Sequence, residues 1–395
     1  MRKGWKETTL GEVAKCAGGS SFPIEHQNGR TGIPFIKVSD LNTPGNDREI
    51  TSALNYITSE LAAELGVRVW PIDTVVFPKV GAALLTDKRR ILTQDTIFDN
   101  NLLGLVGNHE IYPRFLLLFM ETIRMSDFAQ MGALPSVSHG IIEKLCILLP
   151  PLTEQRRIVD VIGSVDAYVA SLESYATAAR TARAALLHEL LTTNTQGWKE
   201  TTLGEVAEVN PKELRLADDA PFIPMDAVKV GKRRVEYTEP RGSRSGARAD
   251  SGDVLFARIT PCLENGKVAQ IQDEIGRCGG STEFIVIRAT TVLDPALLYL
   301  WATWERTRGT AAQLMTGTTG RQRLAALDLS RLEFLLPPLT EQKRIVDVIG
   351  SVDGAIAGAD RAAEDARNLR SGLLSDLLSG DHEIPEGYDE LLGAA

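Results

Sequence analysis

The 18-residue string LPPLTEQRRIVDVIGSVD at 149–166 returns 187 residues later as LPPLTEQKRIVDVIGSVD at 336–353, changed only where Arg156 becomes Lys343. A second pair, GWKETTLGEVA at 4–14 and 197–207, precedes the first. Each half therefore reads as a short leader, a variable block and the repeated string, and two such halves predict an internal pseudo-two-fold repeat. Two prolines stand before a helix but not inside one, so each string opens a helix, with Thr153 or Thr340 as the expected cap. Apolar residues then recur every three or four positions: Ile158, Ile162, Val165, Val169 and Leu172 in the first copy, and Ile345, Ile349, Val352 and Ile356 in the second. Both seams continue through small alanines, reach Arg183 or Arg370 at the same register and end on leucines (Leu186 and Leu190; Leu373 and Leu377). About forty residues at ~1.5 Å each make rods of roughly 60 Å. Small residues let helices approach closely, so the two seams are expected to pack on each other as an antiparallel coiled coil.

The variable blocks are similar in kind and different in detail. Short β-type runs (Asp73–Phe77, Asp253–Ile259, Thr282–Ile287) alternate with helical ones (Pro113–Met125, Pro295–Gly309), which is a mixed α/β pattern. VVFPK at 75–79 echoes VLFAR at 254–258, and each block has a Gly/Ser/Thr-rich loop before its closing strand, at 131–140 and 315–323.

The formal net charge of −9 argues against a nucleic-acid binder until its distribution is considered. Residues 381–395 hold five acids and no base and read as a solvated tail. Residues 229–248 hold seven bases against Glu236 and Glu239, and TDKRR at 86–90 is the counterpart in the first block. Polar loops and strand ends of matching blocks are where phosphates and base edges would be met. The expected DNA contacts are accordingly Lys79, Lys88, Arg89, Arg90, Ser136 and Ser138 in the first block. In the second they are Lys229, Lys232, Arg233, Arg234, Arg258, Thr260, Thr318, Thr319, Arg321 and Arg323.

Catalysis has little support. The four cysteines show no metal spacing with the five histidines and suit a reducing cytoplasm. No stretch is apolar enough for a signal core or a membrane span. Asp328, Glu341 and Lys343 have a spacing that metal-dependent nucleases use, but the first half lacks the set, with Ile141 and Arg156 at the corresponding places. There is no phosphate-binding loop of the P-loop kind.

The duplicated helix start, GWKETTLGEVA and GDVLFARITP at 252–261 resemble the DNA-specificity subunits of Type I restriction–modification systems. The resemblance extends to about Leu378. It implies an α+β chain with two mixed α/β target-recognition domains, 1–148 and 197–335, joined by two long antiparallel helices at 149–196 and 336–380, before an acidic tail at 381–395. It implies a non-catalytic subunit whose domains each read one half of a bipartite site on double-stranded DNA. The helices would set the spacer and dock two modification (methyltransferase) subunits, and through them the restriction (motor nuclease) subunits. S-adenosylmethionine, ATP and Mg would belong to those partners, with no cofactor or metal in this chain. In the first block VVFPKVGA stands where the second has VLFARITP, so Lys79 departs from the family pattern that Arg258 follows. Two other readings remain open: a DNA reader for a related methyltransferase-based defence system, and a coiled-coil scaffold that binds no DNA.

Overall fold

The computed structural model describes residues 4–130, 132–212, 215–318, 320–385 and 387–388. The chain divides into two compact units, Met1–Ser171 with Ala362–Ala395, and Leu172–Arg361. Both boundaries fall inside long helices, Leu152–Thr192 and Leu339–Ser379, of 41 residues each. Each unit thus holds one α/β domain and a part of both helices.

In the first unit a five-stranded sheet has the order Ala14–Gly18, Leu102–Gly107, Val75–Pro78, Arg90–Leu92, Glu49–Ile50. In the second, a four-stranded sheet has the order Ala207–Val209, Phe284–Ala289, Val254–Ala257, Val268–Gln270. The central strands are apolar on both faces because both faces are covered: Val75–Pro78 and Val254–Ala257 are buried throughout. Each unit also has a second sheet, three-stranded in the first unit and four-stranded in the second, in which one strand takes an antiparallel and a parallel neighbour. These are Ile33–Ile36 with Tyr56–Ile57 and Ile97–Phe98, and Pro221–Ile223 with Glu239–Pro240 and Cys278–Gly280. The repeated leader closes its domain as a ribbon, Lys6–Thr9 on Cys146–Leu149 and Lys199–Thr202 on Glu333–Leu336.

The repeated helix starts work differently from the expected threonine cap. The helices begin at Leu152 and Leu339, so Thr153 and Thr340 lie one residue inside. The buried residue is the glutamine of TEQ. Gln155 accepts from the Tyr112 N–H at 2.6 Å and donates to the carbonyls of Glu110 and Pro150. Gln342 accepts from the Asp294 N–H at 2.7 Å and donates to Val292 and Pro337. A single amide side chain, with both faces used, satisfies the backbone that turns into the apolar helices Pro113–Thr122 and Pro295–Thr303.

The seam residues also divide. Ile158 and Ile162 lie in the core of the first unit with Leu374 and Leu377, and Ile345 and Ile349 lie in the core of the second with Leu187 and Leu191. Buried with leucines of the other helix, they pack seam on seam as expected and anchor the pair to each domain, so the surface for a docking partner has to come from other residues of the helices. Val169 and Ile356 are also buried, whereas Val165, Leu172 and Val352 are half-buried. At the helix ends Leu377 is buried as expected, whereas Leu187, Leu191 and Leu374 are buried one position beyond Leu186, Leu190 and Leu373. The solvated tail needs correction where it is described: Ile384 is buried in the first core and Tyr388 packs against it. Among the described residues no helix is long and apolar enough to cross a membrane.

Candidate nucleic-acid interface

The two domains build the same strand-end and loop arrangement from unlike residues. In the first, Lys79 follows the central strand; its N–H donates to the Asn101 carbonyl at 2.9 Å, and its own carbonyl accepts from the Val137 N–H at 2.9 Å. In the second, the Arg258 N–H donates to the Glu283 carbonyl at 2.9 Å, and its carbonyl accepts from the Leu324 N–H at 2.8 Å. The loop that returns to this strand end closes by a reciprocal backbone pair, Gln130 with Ser136 and Thr316 with Arg323. Val80 then bridges to Ser136 as Ile259 bridges to Arg323. Backbone register therefore makes Lys79 equivalent to Arg258, Asn101 to Glu283, and Ser136 to Arg323. Fixed backbone positions with variable side chains are what a reader of two different half-sequences requires.

In the second domain this place is strongly polar. Arg323 donates from Nε and Nη2 to the Glu283 carboxylate at 3.1, 3.0 and 2.7 Å. That hydrogen bonding holds the Glu283 carboxyl below the usual carboxylate range, with burial opposing it and the Arg323 and Arg258 charges assisting. Arg258 is half-buried, and its Nε has no hydrogen-bond partner among the described residues. Arg321 is exposed and has no ion pair among the described residues, and Thr318, whose carbonyl accepts from the Arg321 N–H, is exposed as well. Thr260 turns inward in part, its hydroxyl accepting from the Gln322 N–H at 3.1 Å. Thr319 lies outside the described residues. In the first domain Ser136 is half-buried, and Ser138 is exposed at the start of the helix His139–Glu143.

Other expected contacts lie elsewhere. Arg89 and Arg90 are buried, at 3% and 9% exposure, and are not available to a duplex. Arg89 donates to the carbonyls of Met120 and Ile123 at 3.1 and 2.6 Å, at the C-terminal end of the helix Pro113–Thr122. Arg90 donates to the carbonyls of Asn46, Arg89 and Leu41. Burial lowers the proton affinity of both guanidiniums, against nearby acids. Lys88 is half-buried and bonded to Asn42.

The basic run at 229–248 is largely neutralised at short range. Lys229 pairs with Glu236, Arg234 with Glu274, Arg241 with Asp218 and Arg244 with Glu239. Arg233 binds the Gln270 side chain and lies over the Tyr299 ring. Gln270 pairs with Val254, the first residue of the strand that ends beside Arg258. Arg233, whose carbonyl accepts from the Gln270 N–H at 2.8 Å, therefore sits at the opposite end of that strand pair from the loop, and Lys232 and Arg233 are exposed without an ion pair among the described residues.

Glu341, part of the nuclease-like spacing, is bound by Arg344 at 2.6 Å, and its carboxyl is held low by that hydrogen bond. Among the described residues there is no group of three or more His, Cys, Asp or Glu that could hold a metal ion. The residues that sequence reading passed over are Glu283 and Asn101. Neither belongs to a motif, and only strand register reveals them as equivalents.

A family model described as the Type I restriction modification DNA specificity domain matches residues 2–177 and again 195–361. The chain is 31% identical over 159 residues to the specificity subunit of the Type I restriction enzyme EcoAI of Escherichia coli; the match covers 38% of this chain and 27% of that subunit. The EcoEI specificity subunit of the same organism matches equally, again over 27% of its length. A putative MjaX specificity subunit of Methanocaldococcus jannaschii is 21% identical over 71% of both chains. Among solved structures, a chain from work on complex assembly and conformational transition of the type I R-M system aligns with a TM-score of 0.63. It shares 20% identity and covers 97% of this chain and 99% of its own. The HsdS subunit of Thermoanaerobacter tengcongensis aligns at 0.51, with 20% identity over 97% and 98% of the two chains. These two structures have the fold of this chain.

Proposed function

The chain belongs to the Type I restriction modification DNA specificity domain family, and from that premise we propose that it is the DNA-reading, non-catalytic subunit of a Type I restriction–modification complex. Each domain binds one half of a bipartite, asymmetric site on double-stranded DNA, and the two long helices fix the spacer. The observation that carries this reading is the pair of matching strand-end loops, Lys79 with Ser136 and Arg258 with Arg323, which keep one backbone plan and differ in every side chain. Such a plan reads two unlike half-sequences with one docking geometry.

The repeated helices dock two methyltransferase subunits, and the restriction subunits join through them. With the seam isoleucines spent on domain cores, docking falls to the exposed apolar residues of the helices: Leu152, Tyr168 and Tyr175 on the first, Leu339 and Leu369 on the second. Methyl transfer and cleavage, with S-adenosylmethionine, ATP and Mg, are the work of those partners in the cytoplasm.

The test is a block exchange. Residues 15–148 are replaced by the corresponding block of another family member, and the methylated adenines of host DNA are mapped by sequencing. One half of the methylated motif should change while the other half stays. A motif altered in both halves would refute independent reading, and duplex binding insensitive to salt would refute a phosphate-based interface.

A further inference from the structure

The Arg323–Glu283 pair is an unusual thing to place on a DNA-reading loop. A carboxylate there repels phosphate, and it engages the Nε and Nη2 donors of a cation that would otherwise attract it. Its geometry supplies the reason. Glu283 takes the Nε and Nη2 edge of the Arg323 guanidinium, so the plane of the group and the direction of its remaining Nη1–Nη2 edge are fixed before DNA arrives. Glu283 is itself held: its carbonyl accepts from the Arg258 N–H, and its own N–H donates to the Ser281 hydroxyl at 3.3 Å. Arg323 is held by both backbone bonds to Thr316. The side chain of Arg323 is still 47% exposed, so the oriented edge is available.

A planar fork with two parallel N–H donors matches the O6 and N7 acceptors of guanine in the major groove. Phosphate can be met by a loose cation, whereas a base edge rewards a cation whose angle is fixed. Resting on the DNA-reading function proposed above, we infer that Arg323, oriented by Glu283, is a specificity-determining residue that reads one guanine in the half-site of the second domain. Arg321 and Arg258, which have no carboxylate partner of this kind among the described residues, serve the backbone. The first domain has Ser136 and Asn101 at the equivalent positions, so it cannot make this contact, and its half-site is read by other means.

The experiment uses the full chain assembled with its methyltransferase partner. The probe is a set of duplexes carrying the motif found methylated in host DNA, with each base pair of the second half-site replaced in turn. Arg323→Ala should abolish preference at one G·C position, a loss of roughly 5- to 150-fold in discrimination, while preferences at the other positions persist. Arg323→Lys, which keeps the charge and loses the fork, should lose the same discrimination with the salt dependence of binding unchanged. Glu283→Gln should weaken discrimination at that same position without weakening binding to scrambled duplex, because it removes a negative charge.

Equal weakening of cognate and scrambled duplexes by Arg323→Ala, with a shallower salt slope and intact base preference, would make Arg323 a phosphate contact and overturn the inference. So would a cognate second half-site that contains no G·C pair. A wild-type complex with no sequence preference at all would instead sink the DNA-reading function, and this inference with it.

Discussion

Arg183 binds Asp353 across the helix pair of the second unit, with Nη2 at 3.0 Å from Oδ2. The residues 187 positions away, Arg370 and Asp166, are bound in the same way in the first unit. Both arginines stand on the seam, where the lysine or leucine of an ordinary coiled coil would do, and their partners are the last residues of the two repeated strings. In the second unit Arg180 also binds Asp360, so partner numbers rise on one helix as they fall on the other, and the pair is antiparallel. The equivalence ends at the surroundings. Arg370 also donates to Glu121 at 2.8 Å, and Arg48 joins both carboxylates, whereas Asp353 is 42% exposed and has no such second arginine among the described residues.

That asymmetry predicts unequal costs. Arg183→Met should destabilise by less than about 1 kcal/mol, the scale of a half-exposed pair screened by solvent. Arg370→Met leaves Glu121 and Asp166 sharing Arg48 and should cost about 1–3 kcal/mol, the scale of partly buried charged hydrogen bonds. Urea unfolding of the two variants measures the difference. Equal midpoints would mean that the larger cluster adds nothing to stability.

The buried glutamines give a sharper contrast. Gln155→Leu strands the Tyr112 N–H and two carbonyls, and should cost on the order of 1–3 kcal/mol. Thr153→Ala, at an exposed position inside the first turn, should shift stability by less than about 0.5 kcal/mol. Were Thr153 the helix cap, its loss would instead cost about 1 kcal/mol, so thermal melts of the two variants separate the two arrangements.

Alkaline pH tests the cores. Burial pushes the Cys16 thiol up to about 12, aided by Glu143, and the Cys278 thiol up to about 12, aided by Asp253 and Asp250. In an unfolded chain a thiol ionises near 8.5. The folded value is the higher one, so the contribution of each buried thiol is fully present below pH ~8.5 and is lost as pH rises from there toward 12. Each group should remove up to about 1.4 kcal/mol per pH unit over that window. Cys16→Ala with Cys278→Ala should flatten the alkaline fall. A thiol-alkylating reagent at pH 8 should mark exposed Cys146 in the native protein and reach Cys16 and Cys278 only on unfolding.

The repeat, the long helices and the mixed α/β blocks were legible because periodicity and proline placement act locally. The seam drifted out of reach by one residue at Leu187 and Leu191. A strict seven-residue repeat departs from a straight helix by ~20° per heptad, and four heptads carry it almost a full residue round. Arg89 and Arg90 were misleading because a charged residue in a polar-looking run carries no mark of burial, and their partners, the carbonyls of Met120, Ile123, Asn46 and Leu41, have no side-chain signature. Ser136 and Arg323 stand at the 187-residue offset of the repeated string, but the equivalence of Asn101 with Glu283, 182 residues apart, was invisible for the same reason: backbone hydrogen bonds define it.

Arg89 and Arg321 put the distinction between a structural and a surface arginine to experiment. Arg89 caps the C-terminal end of the helix Pro113–Thr122, where a cation meets the carbonyls of Met120 and Ile123 and the negative end of the helix dipole. Arg89→Leu takes the donor from the Ile123 carbonyl, while the Met120 carbonyl keeps the Ile123 N–H, and should cost on the order of 1–3 kcal/mol. At a temperature where the variant is still folded, its affinity for duplex DNA should match that of the unmodified protein. Arg321→Ala should do the reverse. Its side chain is exposed, so stability should move by less than about 0.5 kcal/mol. The slope of log affinity against log salt should fall by about one, uniformly over sequences, as one phosphate contact is lost. Duplex titrations at several salt concentrations, run beside chemical denaturation, read both variants. A salt slope reduced by Arg89→Leu in folded protein would return Arg89 to the DNA surface, and an unchanged slope for Arg321→Ala would remove Arg321 from it.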